Sequence, residues 1–193
     1  MSERATRGGS PAAAVVLTGI VALYMALVAF GNITDFATNQ EFVRHVLAMD
    51  TTFRDEDLMW RAVTSRTVQD GAYVAIIVWE TVAAALLAIG AGWWALRLRR
   101  GSPGRARTAA VAGLLMVLVL FGAGFLAVGG EWFAMWQSKQ WNGLDAATRN
   151  VTVAGLALLV VQATGRRGTD TAPSARDAEP RAARDLPVGR ADG

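Results

Sequence analysis

The chain has no cysteine, one histidine (His45) and, among 19 basic residues, a single lysine, Lys139. The missing cysteine excludes disulfides, thiol nucleophiles, thiolate zinc sites and covalent haem attachment. One histidine cannot make a His-rich metal site within a chain. Charge is scarce in a different way, because the 18% of residues that are charged are absent from several long stretches. A net charge of +3 and a pI near 10.1 would suggest nucleic acid if the arginines formed one patch on a soluble domain. They lie instead just outside the apolar stretches, which points to membrane topology and to no nucleic-acid partner.

What is present is a set of four apolar blocks. Residues 12–31, AAAVVLTGIVALYMALVAFG, are uncharged throughout, and about 20 such residues cross ~30 Å of hydrocarbon. Arg4 and Arg7 precede the block, as in a signal peptide. The block is longer than a cleaved signal's apolar core and further spans follow, so it reads as a retained first helix. Residues 71–96 form a second block, interrupted by Glu80, and residues 108–129 a third without charge. The fourth run, VTVAGLALLVVQATG at 151–165, is short. It must borrow from DAATRN at 145–150 to cross, giving a span of about 146–164.

Arginines set the expected orientation. Arg97, Arg99, Arg100, Arg105 and Arg107 crowd the connection between spans two and three, and short arginine-dense loops stay in the cytoplasm. Residues 1–11 and the tail from 165 are therefore expected in the cytoplasm, with the 32–70 and 130–150 connections outside. Trp93 and Trp94 suit an inner aromatic belt, and Trp132, Trp136 and Trp141 an outer one. The tail at 165–193 has three prolines, six arginines, five acids and few large apolar residues, a composition that predicts disorder.

The outer connections carry helix signals. Thr38-Asn39-Gln40-Glu41 has the T-x-x-E pattern of a capping box, followed by Phe42, Val43, Val46, Leu47 and Met49 at helical spacing. A second cap pattern, Thr52-Phe53-Arg54-Asp55, precedes an acidic first turn. Two short helices, 39–49 and 54–65, are expected to lie against the membrane. Phe36-Ala37-Thr38-Asn39-Gln40 and Phe133-Ala134-Met135-Trp136-Gln137 share F-A-x-x-Q, so a matching amphipathic helix is expected after span three, and the chain reads as two hairpins of equal orientation, a parallel repeat. The fold class is thus all-α, a bundle of four transmembrane helices with short amphipathic extracytoplasmic helices after spans one and three.

GNITDFATNQEFVRHVLAMDTTF after span one, WET inside span two and GGEWFAMWQSKQWNG after span three together carry a resemblance. The chain resembles a bacterial family of small, predicted integral membrane proteins catalogued as a domain of unknown function, over residues 12–163. The resemblance implies a four-helix inner-membrane protein and carries over no activity and no catalytic residue.

Glu80 is the strongest single candidate for chemistry. A carboxyl within a span faces the bundle and is paired or protonated, because a bare charge there costs several kcal/mol. Arg149, Tyr24, Thr18 or His45 are its candidate partners, and the intramembrane site is taken as Glu80, Arg149 and Tyr24. A second set, His45, Met49, Trp132, Trp136 and Trp141, is a candidate outer contact surface. His45 and Met49 share a helix face and are haem or copper ligand types, but a lone histidine among aliphatics is more commonly an interfacial hydrogen-bonding residue. No cofactor or metal site and no catalytic residue is predicted. The leading function is a non-enzymatic accessory or interaction subunit; the alternatives are a small transporter or channel using Glu80 and a haem- or copper-binding redox protein using His45 and Met49. Membrane lipids and a membrane-protein partner or a second copy are the expected contacts.

The topology is directly testable in a cysteine-free chain. A cysteine placed at Ser102 should stay unlabelled by an impermeant thiol reagent in intact cells and become labelled on permeabilisation. Labelling in intact cells would invert the topology.

Overall fold

A computed structural model of the chain describes residues 10–97 and 104–165; the N-terminal arginines, the centre of the arginine-rich connection and the tail from 166 onward lie outside the described residues. Four long helices are apolar enough to cross a membrane: α1 (Pro11–Thr34), α3 (Arg66–Arg97), α4 (Gly104–Trp132) and α5 (Leu144–Thr164, continuing to Gly165). A fifth helix, α2 (Phe36–Ala48), lies between α1 and α3. Pro11 opens α1, where its missing N–H costs nothing and its fixed φ suits a first helical turn.

The spans run up and down, with α1 packed on α3, α3 on α4, α4 on α5, and α5 back against α1. Their shared core is rich in small residues, such as Ala14, Ala83, Ala110, Ala154 and Ala157, interleaved with Met25, Leu87 and Leu114. Helices in lipid gain little from burying apolar surface against one another, so close backbone approach and dense packing hold them together. Gly90 supplies the closest approach to another helix's backbone: a Cβ there would lie 2.7 Å from the Ala110 amide nitrogen. At Gly113 it would lie 2.6 Å from Leu87 Cγ. On the outer faces, Leu23, Leu27, Phe30 and Leu159 are exposed, as helices facing acyl chains require.

The far half of α4, Val119–Trp132, winds in wider turns that bond to the fifth preceding carbonyl, and Phe133 N–H closes the last of them on Val128 O at 3.0 Å. Such turns leave the helix wider and place side chains differently from an α-helix. This stretch lines the same end of the bundle as α2, here termed the capped end; the end carrying Arg97 and Arg105 is the arginine end.

At the capped end two expectations are corrected. Thr38 does not cap a helix: α2 begins at Phe36 with Asp35 at its N-cap, and the Thr38 hydroxyl donates to Asp35 Oδ1 at 2.8 Å. The chain leaves α1 and enters α2 through that single residue, so α2 starts too early for Thr38 to lie outside it. The expected helix at 54–65 is replaced by turns and one 3-10 turn, Met59–Arg61. Arg54 takes a left-handed φ of 58°, and Asp55 Oδ1 accepts from the Asp57 amide at 3.0 Å. That short side chain offers the backbone a local alternative to helix. Two bonds to the other connection also hold the segment open, Thr51 Oγ1 to Ser138 Oγ at 2.9 Å and the Phe53 amide to Gln137 Oε1 at 2.9 Å. Span two consequently starts at Arg66.

The two F-A-x-x-Q stretches take different conformations. The first opens α2, whereas in the second Ala134 is left-handed (φ 50°) and leads into a single 3-10 turn, Met135–Gln137. α2 is strapped to α3 by Arg44, whose Nε and Nη2 donate to the two carboxylate oxygens of Asp70 at 2.9 and 3.1 Å. Its Nη1 donates to Glu41. These bonds, Asp70 first, raise the Arg44 pKa above its ordinary value.

Gly90→Ala should lower the melting temperature of the detergent-solubilised chain, because its contact is backbone and the helices must separate. The loss should be about 1–3 kcal/mol, the usual cost of overpacking. Gly19→Ala, which meets open space, is the control and should melt at or above the parent temperature.

Candidate functional site: a polar cavity at the capped end

Tyr73, Ile77 and Glu80 fall on one stripe of α3, and all three are buried. Glu80 is 2% exposed. Its Oε2 accepts a hydrogen bond from Asn32 Nδ2 at 2.7 Å. The Tyr73 hydroxyl donates to the Asn32 carbonyl at 2.7 Å, filling one of the acceptors that the C-terminus of α1 leaves without a helical partner. Both bonds fasten α3 to the last turn of α1. Because α3 starts at Arg66, its first turns overhang α1 and form the wall on which α2 rests.

Glu80 borders a cavity of about 260 Å³, walled by Phe42 and Val43 of α2, Phe121 and Phe125 of α4, and Asn150 of α5. Asn150 is 5% exposed, and its Oδ1 has no hydrogen-bond partner. An amide oxygen left unmatched costs about 1–3 kcal/mol. The cavity is therefore bordered by a carboxyl held by one neutral donor and by the buried Asn150 amide, against aromatic walls.

The intramembrane residues singled out in the sequence meet here only in part. Tyr24 lines the cavity beside Glu80. Arg149 does not reach the carboxyl: it is exposed, and it lines a neighbouring groove of about 220 Å³ between α1 and α5. Tyr24 and Asn150 belong to both spaces. Thr18 is not a partner either, since its hydroxyl bonds back to Ala14 O at 2.7 Å. The true partner of Glu80, Asn32, was masked in the sequence as the residue that merely ends an apolar run. Tyr73 was more legible, lying seven residues before Glu80 and thus on its helix face.

The outer set separates as well. His45 Nδ1 lies 2.8 Å from Asp50 Oδ1, Nε2 lies 3.9 Å from Glu41 Oε2, and the ring stacks on Trp141 with centroids 4.8 Å apart. Met49, the left-handed C-cap of α2, is buried with Phe133 and Ala134 instead. His45 and Met49 thus serve different neighbours and present no shared ligand pair. Among the described residues no three His, Cys, Asp or Glu side chains are grouped to hold a metal ion. The three tryptophans do not cluster with one another. Trp132 meets Trp60 and the Arg61 guanidinium, Trp136 meets Phe53, and Trp141 meets His45 and Phe42. Each joins one connection to the other.

The sequence profile of one family, described as predicted small integral membrane protein (DUF2165), matches residues 11–164. The chain belongs to this family. The match covers all four spans, the cavity and both connections of the capped end. No curated protein and no solved structure matches the chain.

Glu80→Gln should keep the fold and melt close to the parent, since a glutamine carbonyl can still accept from Asn32. Glu80→Leu leaves that amide unmatched in the bundle and should cost about 1–3 kcal/mol, read as a lower melting temperature in detergent. A leucine variant that melts like the parent would show that the Asn32–Glu80 bond carries no stability.

Proposed function

We propose that this chain is a non-enzymatic protein of the bacterial plasma membrane, with both termini in the cytoplasm, that acts as an accessory or interaction subunit through its capped end. The arginines beside the connection between α3 and α4 support the orientation, because such loops are retained inside. The partner is another membrane protein or a second copy of this chain.

One observation carries the interaction reading. The connections that form the cap are tied together by Thr51–Ser138, Phe53–Gln137 and two edge-on aromatic pairs, Phe53–Trp136 at 5.9 Å and Trp60–Trp132 at 5.5 Å. Yet Phe53 and Trp60 remain 72% and 70% exposed. Large rings held on ordered backbone are costly to leave in water and lose little entropy on docking, which suits an anchor for a partner. The transport reading has less support. The core between Glu80 and the arginine end is built from Met25, Leu87, Leu114 and Val117, all buried, with no chain of polar side chains continuing from the carboxyl among the described residues.

A photo-crosslinking amino acid at Trp60 or Phe53, in native membranes, should give adducts of defined mass with a protein. The same amino acid at Leu27 on the lipid face should give none. Lipid adducts alone at all three positions would reduce the rings to an interfacial belt.

A further inference from the structure

Two opposite charges at the capped end stand side by side without pairing. Arg61 closes the 3-10 turn Met59–Arg61, and Glu131 lies in the last turn of α4. Both border one open hollow of about 690 Å³, whose other walls are apolar and include Val128 and Trp132. Neither forms an ion pair among the described residues.

The Arg61 guanidinium is nonetheless held in place. Its carbon lies 4.9 Å from the Trp132 ring centroid and 5.6 Å from that of Trp60, and the two rings meet edge to face at 5.5 Å. A guanidinium resting on an aromatic face keeps its in-plane N–H donors for another partner. Its Nε is buried with no hydrogen-bond partner. Nη1 and Nη2 have none either among the described residues, but they are not enclosed. They stay within reach of an incoming acceptor. Glu131 is exposed.

A second copy of the chain brings both missing partners at the right height. Copies inserted with the same topology stand parallel, so a two-fold axis relating them runs along the membrane normal. Rotation about that axis changes no depth. Two residues on one rim thus meet their own complements at the same level, as a self-complementary two-fold contact requires. A partner offering one acidic group would answer Arg61 and leave Glu131 beside it uncompensated. Trp60, Trp132 and Val128 are exposed on the same face and supply apolar area to go with the charges.

We propose that the chain forms a two-fold dimer through this face, with Arg61 of each copy paired to Glu131 of the other. Trp60 and Trp132, already fixing the guanidinium, pack beside each pair. The dimer rests on the reading of the capped end as an interaction surface and names a second copy as what it binds.

The test uses the full chain in nanodiscs or mild detergent, as Arg61→Glu and Glu131→Arg variants carrying different affinity tags. Alone, the first sets acid against acid across the axis and the second sets arginine against arginine. Each should dimerise at least about tenfold more weakly than the parent, because like charges facing each other are costly. Mixed, the two variants restore both pairs with the signs reversed, and their tags should co-purify as well as two parent chains do. Native mass spectrometry reads the dimer. A parent chain that is monomeric at every concentration would overturn the proposal, as would a mixture that pairs no better than either variant alone. If Arg61→Glu does not fold, Glu131→Arg and Glu131→Gln decide: arginine should break the dimer and glutamine should weaken it less. Crosslinks from Trp60 to other proteins, with a monomeric parent chain, would remove the dimer and keep the interaction reading. Lipid adducts alone would remove both.

Discussion

Lipid offers no hydrogen bonds, so every backbone N–H and C=O inside the hydrocarbon must be satisfied within the protein. From that constraint the rest of the structure follows. Each crossing segment becomes a helix, and the only freedom left is how helices meet. In this chain they meet through small residues. Gly90 against the Ala110 backbone and Gly113 against Leu87 bring α3 and α4 closer than any side chain would permit. With α1 on its other flank and α2 across its first turns, α3 is the hub of the bundle.

The capped end solves a different problem. There the chain leaves the hydrocarbon, polar side chains become affordable, and the backbone no longer needs to be helical. The Asp35 hinge turns α2 back across the bundle, and the Arg44–Asp70 pair fixes where it lands. Bidentate geometry makes that contact directional as well as attractive. Phe42 and Val43 are thereby carried over the space beside Glu80 and form part of its wall. The polar cavity is a consequence of the cap, and not of the four spans alone.

Polar groups enclosed in a membrane bundle are expensive, which is why their pairing is informative. Asn32 and Tyr73 account for one oxygen of Glu80 and for a freed carbonyl of α1. Asn150 Oδ1 remains unaccounted for by the protein, and Arg149 stands on the other side of a shared wall. Membership of a family of predicted small integral membrane proteins agrees with the four spans, and the arrangement at the capped end is what gives the chain individual chemistry: exposed aromatic rings tied between the two connections, and a cavity bordered by Glu80.

By itself the sequence determined the four spans, because long uncharged apolar runs have one stable conformation in a bilayer and that conformation depends on local bonds only. It also determined that Glu80 must face inward, since a carboxyl in a span has nowhere else to go. α2 was legible from its apolar periodicity, although its start was misread at Thr38, because a cap pattern is a short signal that a neighbouring helix can override. The 54–65 segment was misread as helix for a related reason: local propensity there is outweighed by hydrogen bonds to residues 137 and 138, far along the chain. Only the tertiary structure decided that Asn32 rather than Arg149 holds Glu80, that the three tryptophans part to different neighbours, and that His45 and Met49 serve separate contacts. Those pairings depend on the register and rotation of packed helices. Small residues along their interfaces set both, through contacts between positions that no spacing in one segment reveals.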